Sequence, residues 1–180
     1  MKKTFLSFVL LLGAMAVTAA NQQVTPGQSI NNAVKAASVG DTVKVAAGTY
    51  NECVSLKDGV HIFGGYKADF SVRDVDAYQT ILDGTGLEKF LIVKYDAGCT
   101  KKTVIDGLTL QNAEHSSDGG GAYLRENCVL NNCIIRNCVT TGGGGAAFNA
   151  GTITNCLFEL CSAEGSGGAV DNRAGGIVEN

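Results

Sequence analysis

Apolar and polar positions follow three different rhythms along the 180-residue chain. The first is an almost entirely apolar run, Phe5 to Ala16, preceded by Lys2 and Lys3. The second has helical spacing: between Gln28 and Ala37, residues Ile30, Ala33, Val34 and Ala37 share one helical face. Gly40 and Asp41 then turn the chain into the alternating strand TVKVA, Thr42 to Ala46, and GVHIFGGY, Gly59 to Tyr66, reads as a strand of the next turn. Beyond it the rhythm is a two-residue alternation in short bursts. Each burst is too short for a helix and is bounded by Asn or Gly, which predicts strands.

The bursts recur. NCIIRNC, Asn132 to Cys138, aligns with NCLFELC, Asn155 to Cys161, at an offset of 23, and with DGLTLQNA, Asp106 to Ala113, at an offset of 25. Gly-Gly-Ala returns at Gly120, Gly144 and Gly167, offsets of 24 and 23. TILDG, Thr80 to Gly84, matches TVIDG, Thr103 to Gly107, which makes Asp83 and Asp106 equivalent. The tail GGIVEN restarts the GTITN segment. In this frame Leu108, Cys133 and Cys156 form one column, and Leu110, Ile135 and Phe158 form a second. The columns lie two residues apart, so they share the inner face of a strand. Asn112 and Asn137 share the following corner, where Leu160 interrupts the series. Three short strands and three corners per period predict an all-β fold: a right-handed parallel β-helix (solenoid) with a short N-terminal capping helix. Its turns stack about 4.8 Å apart, so equivalent residues lie over one another and the text must repeat.

The N-terminal run changes the domain count. A short positive region, an apolar stretch too short to span a bilayer comfortably, and small residues at Val17, Ala19 and Ala20 are expected of a secretory signal peptide, residues 1–20. The remainder, residues 21–180, is expected to be one β-helix domain with a cap at about 27–50 and coils over 51–180. It breaks off just as another period opens, as a fragment of a longer solenoid would. No later apolar run is long enough for a transmembrane helix. Without Lys2 and Lys3 the net charge falls from −3 to −5. A mildly acidic chain without a basic cluster argues against nucleic acid or an anionic membrane as partner. A single Pro beside 24 Gly fits tight, regularly recurring corners.

The segment SINNAVKAASVGDTVKVAAGTYNECVSLKDGVHIFGGY resembles the N-terminal cap and first coils of pectin-lyase-like β-helix proteins. The steps GGAY, GGAA and GGAV together with NCIIRN resemble polymorphic outer-membrane protein repeats, with Ile134 and Asn137 in the places of that repeat's Phe and Asn. The resemblance implies a secreted or outer-membrane surface protein. It does not imply an activity.

Candidate chemistry is sparse. Stacked carboxylates at Asp83 and Asp106 are the weak candidates for a metal or an acid/base pair; as Asp-Gly corners they more simply accept backbone N–H groups. Asp118, Arg125, Glu126, Arg136, Glu159, Asp171 and Arg173 point outward, and scattered charges of this kind read as a solvated face. His61 and His115 lack Cys or His partners at ligand spacing, so zinc is not indicated. No catalytic residue and no cofactor are assigned. Cys133 over Cys156 and Cys138 over Cys161 read as buried thiol ladders, with disulfides as the alternative; Cys53 and Cys99 have no place in the frame. The expected function is adhesion, or contact with carbohydrate or a host or cell-surface protein, without catalysis. The alternatives are the N-terminal part of a polysaccharide lyase or glycoside hydrolase, and a spacer without ligand.

Overall fold

The computed structural model describes residues 20–87, 91–93 and 99–180; the apolar run read as a signal peptide lies outside the described residues. Strand β1 (Asn21–Val24) and helix α1 (Ile30–Ala36) precede a first turn of β2 (Thr42–Ala46), β3 (Gly48–Tyr50) and β4 (Val54–Ser55). The second turn is β5 (His61–Tyr66), β6 (Thr80–Asp83) and β7 (Ile92–Val93). The third is β8 (Thr103–Asp106), β9 (Leu108–Gln111), β10 (Glu114–His115) and β11 (Ala122–Leu124). The fourth is β12 (Cys128–Asn131), β13 (Ile134–Arg136), β14 (Val139–Thr140) and β15 (Ala147–Asn149). The fifth is β16 (Thr152–Thr154), β17 (Leu157–Glu159), β18 (Ser162–Ala163) and β19 (Val170–Asn172), and β20 (Ile177–Glu179) opens a sixth. The named strands pair in parallel, each with its counterpart in the neighbouring turn. The protein is a parallel β-helix.

Four walls result. The first is β1-β2-β5-β8-β12-β16-β20, the second β3-β6-β9-β13-β17, the third β4-β7-β11-β15-β19, and the fourth β10-β14-β18. Three strands per turn therefore describes only the first two turns. From the third turn a fourth short strand is inserted after the Asn112 corner.

Alternation places the core. Ile62, Ile105, Leu130 and Ile153 from the first wall meet Leu82, Leu110 and Ile135 from the second and Ile92 and Leu124 from the third, all at most 1% exposed. Leu82, Leu110, Ile135 and Phe158 form one vertical column. Extending the same pairings by one residue sets Cys133 over Leu108 and Cys156 over Cys133. Phe158 and Cys156 are only partly buried, because β17 is the outermost strand of its wall.

The corners explain the recurring Asn-Cys dipeptides. Asn132 and Asn155 have φ of 53° and 51°, and Gly107 below them 71°. Asn112, Asn137 and Leu160 have φ of 57°, 52° and 52° at the next corner. Asn tolerates this left-handed conformation better than other side chains. The residue that follows points inward, and where it is Cys its thiol donates back across the corner. Cys133 Sγ lies 3.2 Å from Asn131 O, Cys138 Sγ 3.3 Å from Arg136 O, Cys156 Sγ 3.2 Å from Thr154 O and Cys161 Sγ 3.4 Å from Glu159 O. A small, apolar side chain with a weak donor suits a buried corner carbonyl. The Asn112 amide donates to Asp83 Oδ2 at 3.1 Å.

Helix α1 covers the N-terminal end of the core with Ile30 and Val34, both fully buried. It is held at both ends by the turn beneath. Glu52 accepts from Ser29 Oγ and Ile30 N, both at 2.7 Å, and Lys57 Nζ donates to Lys35 O at 2.9 Å and Ala37 O at 2.5 Å. Acid at the N-terminus and base at the C-terminus complement the helix dipole. Strand β1 lies ahead of the segment expected to form the cap and contributes to it.

Two expected registers are corrected. Asp83 and Asp106 are not equivalent. Asp83 pairs with Gln111 on the second wall, whereas Asp106 pairs with Phe63 and Asn131 on the first. A loop, residues 67–79, stands where Gly107 alone makes the corner one turn later, so the 23-residue match joins strands of different walls. The first Gly-Gly-Ala is also shifted by one. Ala122 pairs with Ala147, so Gly119, Gly144 and Gly167, with φ of 77°, 72° and 65°, are the equivalent corners.

Candidate functional site

The corrected register assembles a cluster on the third wall. In β11, β15 and β19 the small residues Ala122 and Ala147 point inward, and Tyr123, Phe148 and Asp171 form the outward column. Gly144 makes the tight turn before it: a Cβ there would come within 2.2 Å of Ala147 O. The Tyr123 and Phe148 rings stack with centroids 4.4 Å apart and planes 4° from parallel. One residue beyond each strand, Arg125 and Arg173 occupy equivalent places with Ala150 between them. Arg125 Cζ lies 5.2 Å from the Tyr123 centroid and 5.9 Å from that of Phe148; Arg173 Cζ lies 5.2 Å from Phe148. Phe148 is buried to 7% exposure beneath these groups.

The guanidinium groups are held in place but not saturated. Arg125 Nη2 donates to Tyr123 Oη at 3.0 Å, while its buried Nε has no partner in the structure. Arg173 Nη2 pairs with Asp171 Oδ2 at 2.5 Å, and Ser166 Oγ donates to the same oxygen at 3.0 Å. Each guanidinium carries five donors in a planar fork suited to carboxylate or sulfate. Stacking on rings fixes their orientation in advance.

A concavity of about 310 Å³ lies along the fourth wall. Glu114, His115 and Glu164 line it together with Val139, which is 45% exposed. His115 Nδ1 accepts from Ser117 N at 3.0 Å.

The residues singled out from the sequence are distributed as follows. Asp83 accepts from Thr85 N, Thr85 Oγ1, Gln111 Nε2 and Asn112 Nδ2 at 2.6–3.1 Å. Burial opposes its ionisation, but hydrogen bonds led by Thr85 and Gln111 outweigh it and hold its pKa below the usual carboxylate value. Asp106 is paired with Arg73 and accepts from Asn131 Nδ2. Both carboxylates are thus engaged in structural bonds, on different walls. His61 accepts from Val104 N at 3.2 Å, and no group of three His, Cys, Asp or Glu suited to a metal occurs among the described residues. Of the outward charges, Arg125, Asp171 and Arg173 come together. Arg136 donates instead to Gln111 Oε1 at 2.7 and 3.0 Å, continuing a polar ladder upward from Asp83. Asp118 Oδ1 accepts from Gly143 N at 2.8 Å. Cys99, without a place in the sequence frame, lies 3.7 Å from Cys128, sulfur to sulfur. The Tyr123–Phe148 stack was hidden by the one-residue error in the Gly-Gly-Ala alignment, which sets Tyr123 against Ala147. The signal that reveals it is the pair AYL and AFN, 25 residues apart.

Comparison with protein-family models, curated proteins and solved structures returns no match to this chain. No helix among the described residues is long and apolar enough to cross a membrane.

Proposed function

We propose that the protein is a secreted or outer-membrane-associated surface β-helix, of the pectin-lyase-like kind with polymorphic outer-membrane protein-type repeats, that binds glycan or cell-surface ligands without cleaving them. The reading of export draws on Lys2, Lys3 and the apolar run after them. The observation that carries the binding function is the pair of ring-stacked guanidiniums, Arg125 and Arg173, on a wall of regularly spaced strands. Such a surface suits a repeating ligand that carries acidic groups, and an acidic glycan has that chemistry.

Titration calorimetry with polygalacturonate, heparin and a neutral glucan tests this reading. The acidic polymers are expected to bind and the neutral one is not. Replacing both arginines, Arg125→Ala with Arg173→Ala, is expected to weaken binding by about tenfold or more, the scale of one lost charge-assisted hydrogen bond. Equal binding of the neutral polymer, or an unchanged affinity in the double variant, would contradict it. The fourth-wall concavity favours a second reading, glycoside hydrolysis, because it brings two glutamates and a histidine to one groove. Release of new reducing ends during the same titration, abolished by Glu164→Gln, would favour that reading over simple binding.

A further inference from the structure

Six of the seven cysteines meet in three places: Cys99 with Cys128, Cys133 with Cys156, and Cys138 with Cys161. In each of the last two pairs the partners lie one turn of the solenoid apart. Val139 is in register with Ser162, and Ser162 N donates to Cys138 O at 3.0 Å, so Cys161 lies directly over Cys138. Parallel neighbours are about 4.8 Å apart along the hydrogen bonds, and the Cα separation compatible with a disulfide runs from about 4.4 to 6.8 Å. Side chains stacked in this way run alongside each other, so closure needs one of them to swing. Cys161 has the room. It follows the exposed corner residue Leu160, and it is only half-buried. Cys138 beneath it is fully buried.

We propose that Cys138 and Cys161 are an oxidisable dithiol, with Cys161 as the entry thiol and Cys138 as the resolving thiol, and that closing it staples the fourth turn to the fifth. The two thiols are differently poised for these roles. When Cys161 ionises, the Cys138 thiol can turn from Arg136 O to donate to it, which brings the Cys161 pKa down to about 7 against burial, whereas that same bond and burial push the Cys138 pKa up. A thiolate is the attacking species, and one with a pKa near the ambient pH attacks best. With oxidised glutathione as oxidant, the Cys161 thiolate attacks one glutathione sulfur and expels glutathione thiolate, leaving a mixed disulfide. Cys138 gives up its proton, attacks Cys161 Sγ and expels the second glutathione. Two protein thiols are oxidised to one disulfide, and one glutathione disulfide is reduced to two thiols that take up the two protons the protein thiols gave up. Cys133 and Cys156 repeat the arrangement one wall back, and Cys156 is likewise half-buried, but it follows Asn155, whose side chain is tied to Asn131 Oδ1 at 3.0 Å, where Cys161 follows the 85% exposed Leu160. Cys99 and Cys128 are both buried, so they are expected to react with glutathione later than Cys161.

The experiment incubates the reduced, folded protein with oxidised glutathione at pH 8, quenches by alkylation and maps peptides without reduction. The expected first product is a cross-linked peptide joining Cys138 to Cys161, with a rise of several degrees in Tm. Cys138→Ser is expected to accumulate the glutathione adduct on Cys161, and lowering the pH below about 7 to slow the reaction. A wild-type protein that stops at the glutathione adduct, that cross-links other cysteines first, or in which Cys138 and Cys161 remain alkylatable thiols would overturn the proposal. The mapping of the wild type requires no variant to fold, and its outcome is independent of whether the arginine cluster binds glycan.

Discussion

Ile135 lies in register directly over Leu110, and both are wholly buried although 25 residues separate them in the chain. Each fills the space the other leaves, so truncating either opens a cavity within one continuous column. Ile135→Ala is expected to lower unfolding free energy by about 2–5 kcal/mol in urea denaturation. Because the two side chains share that cavity, Leu110→Ala combined with Ile135→Ala is expected to cost less than the sum of the single losses. Strict additivity would mean that the two residues do not touch.

Leu160 occupies a corner where its counterparts are Asn112 and Asn137, with the same left-handed φ, and it is 85% exposed. A large side chain is disfavoured in that conformation and gains little from burial here. Leu160→Asn is therefore expected to raise stability by about 1 kcal/mol, and Asn137→Leu to lower it by at least as much. Urea midpoints at constant m value read both effects.

Glu52 accepts three hydrogen bonds at the start of α1, from Ser29 Oγ, Ile30 N and Asn31 N. Glu52→Gln removes the charge and keeps the shape. The expected loss is about 1–3 kcal/mol. It should appear first as faster amide exchange in α1 and β1, since the cap opens before the solenoid does.

His61 has a pKa held below its usual value of 6.5, first by burial and then by Lys102. The unfolded chain takes up its proton at a higher pH than the folded one. The stabilising effect of a neutral His61 is thus complete above about 6.5 and is lost as the pH falls through the lower, folded value. Thermal melts between pH 7.5 and 5 are expected to show a steeper fall for wild type than for His61→Asn. His115 and the carboxylates are common to both proteins, so the difference isolates His61.

The columns and corners from Asp106 onward were legible in the sequence because successive turns there have nearly equal length. Leu110, Ile135 and Phe158, and the left-handed Asn112 and Asn137, occupy the places that the repeat predicts. Asp83 was misplaced because a strand pattern of threonine, two apolar residues and Asp-Gly looks the same on any wall. Only the length of the 67–79 loop decides which wall it joins. Arg73 in that loop reaches across to Asp106 and lies 5.3 Å over Phe63, contacts between residues whose separation follows no period. The arginine cluster was lost to a single-residue slip. In a strand, such a slip exchanges inner and outer faces, so an outward tyrosine was matched to an inward alanine.

Methyl-to-methyl NOEs in a protein labelled at its Ile and Leu methyl groups test the stacking most directly. Strong cross-peaks from Leu82 to Leu110 and from Leu110 to Ile135 are predicted, because each pair occupies adjacent turns of one column. Absence of both, with cross-peaks confined to residues close in sequence, would contradict the parallel β-helix and every site built on it.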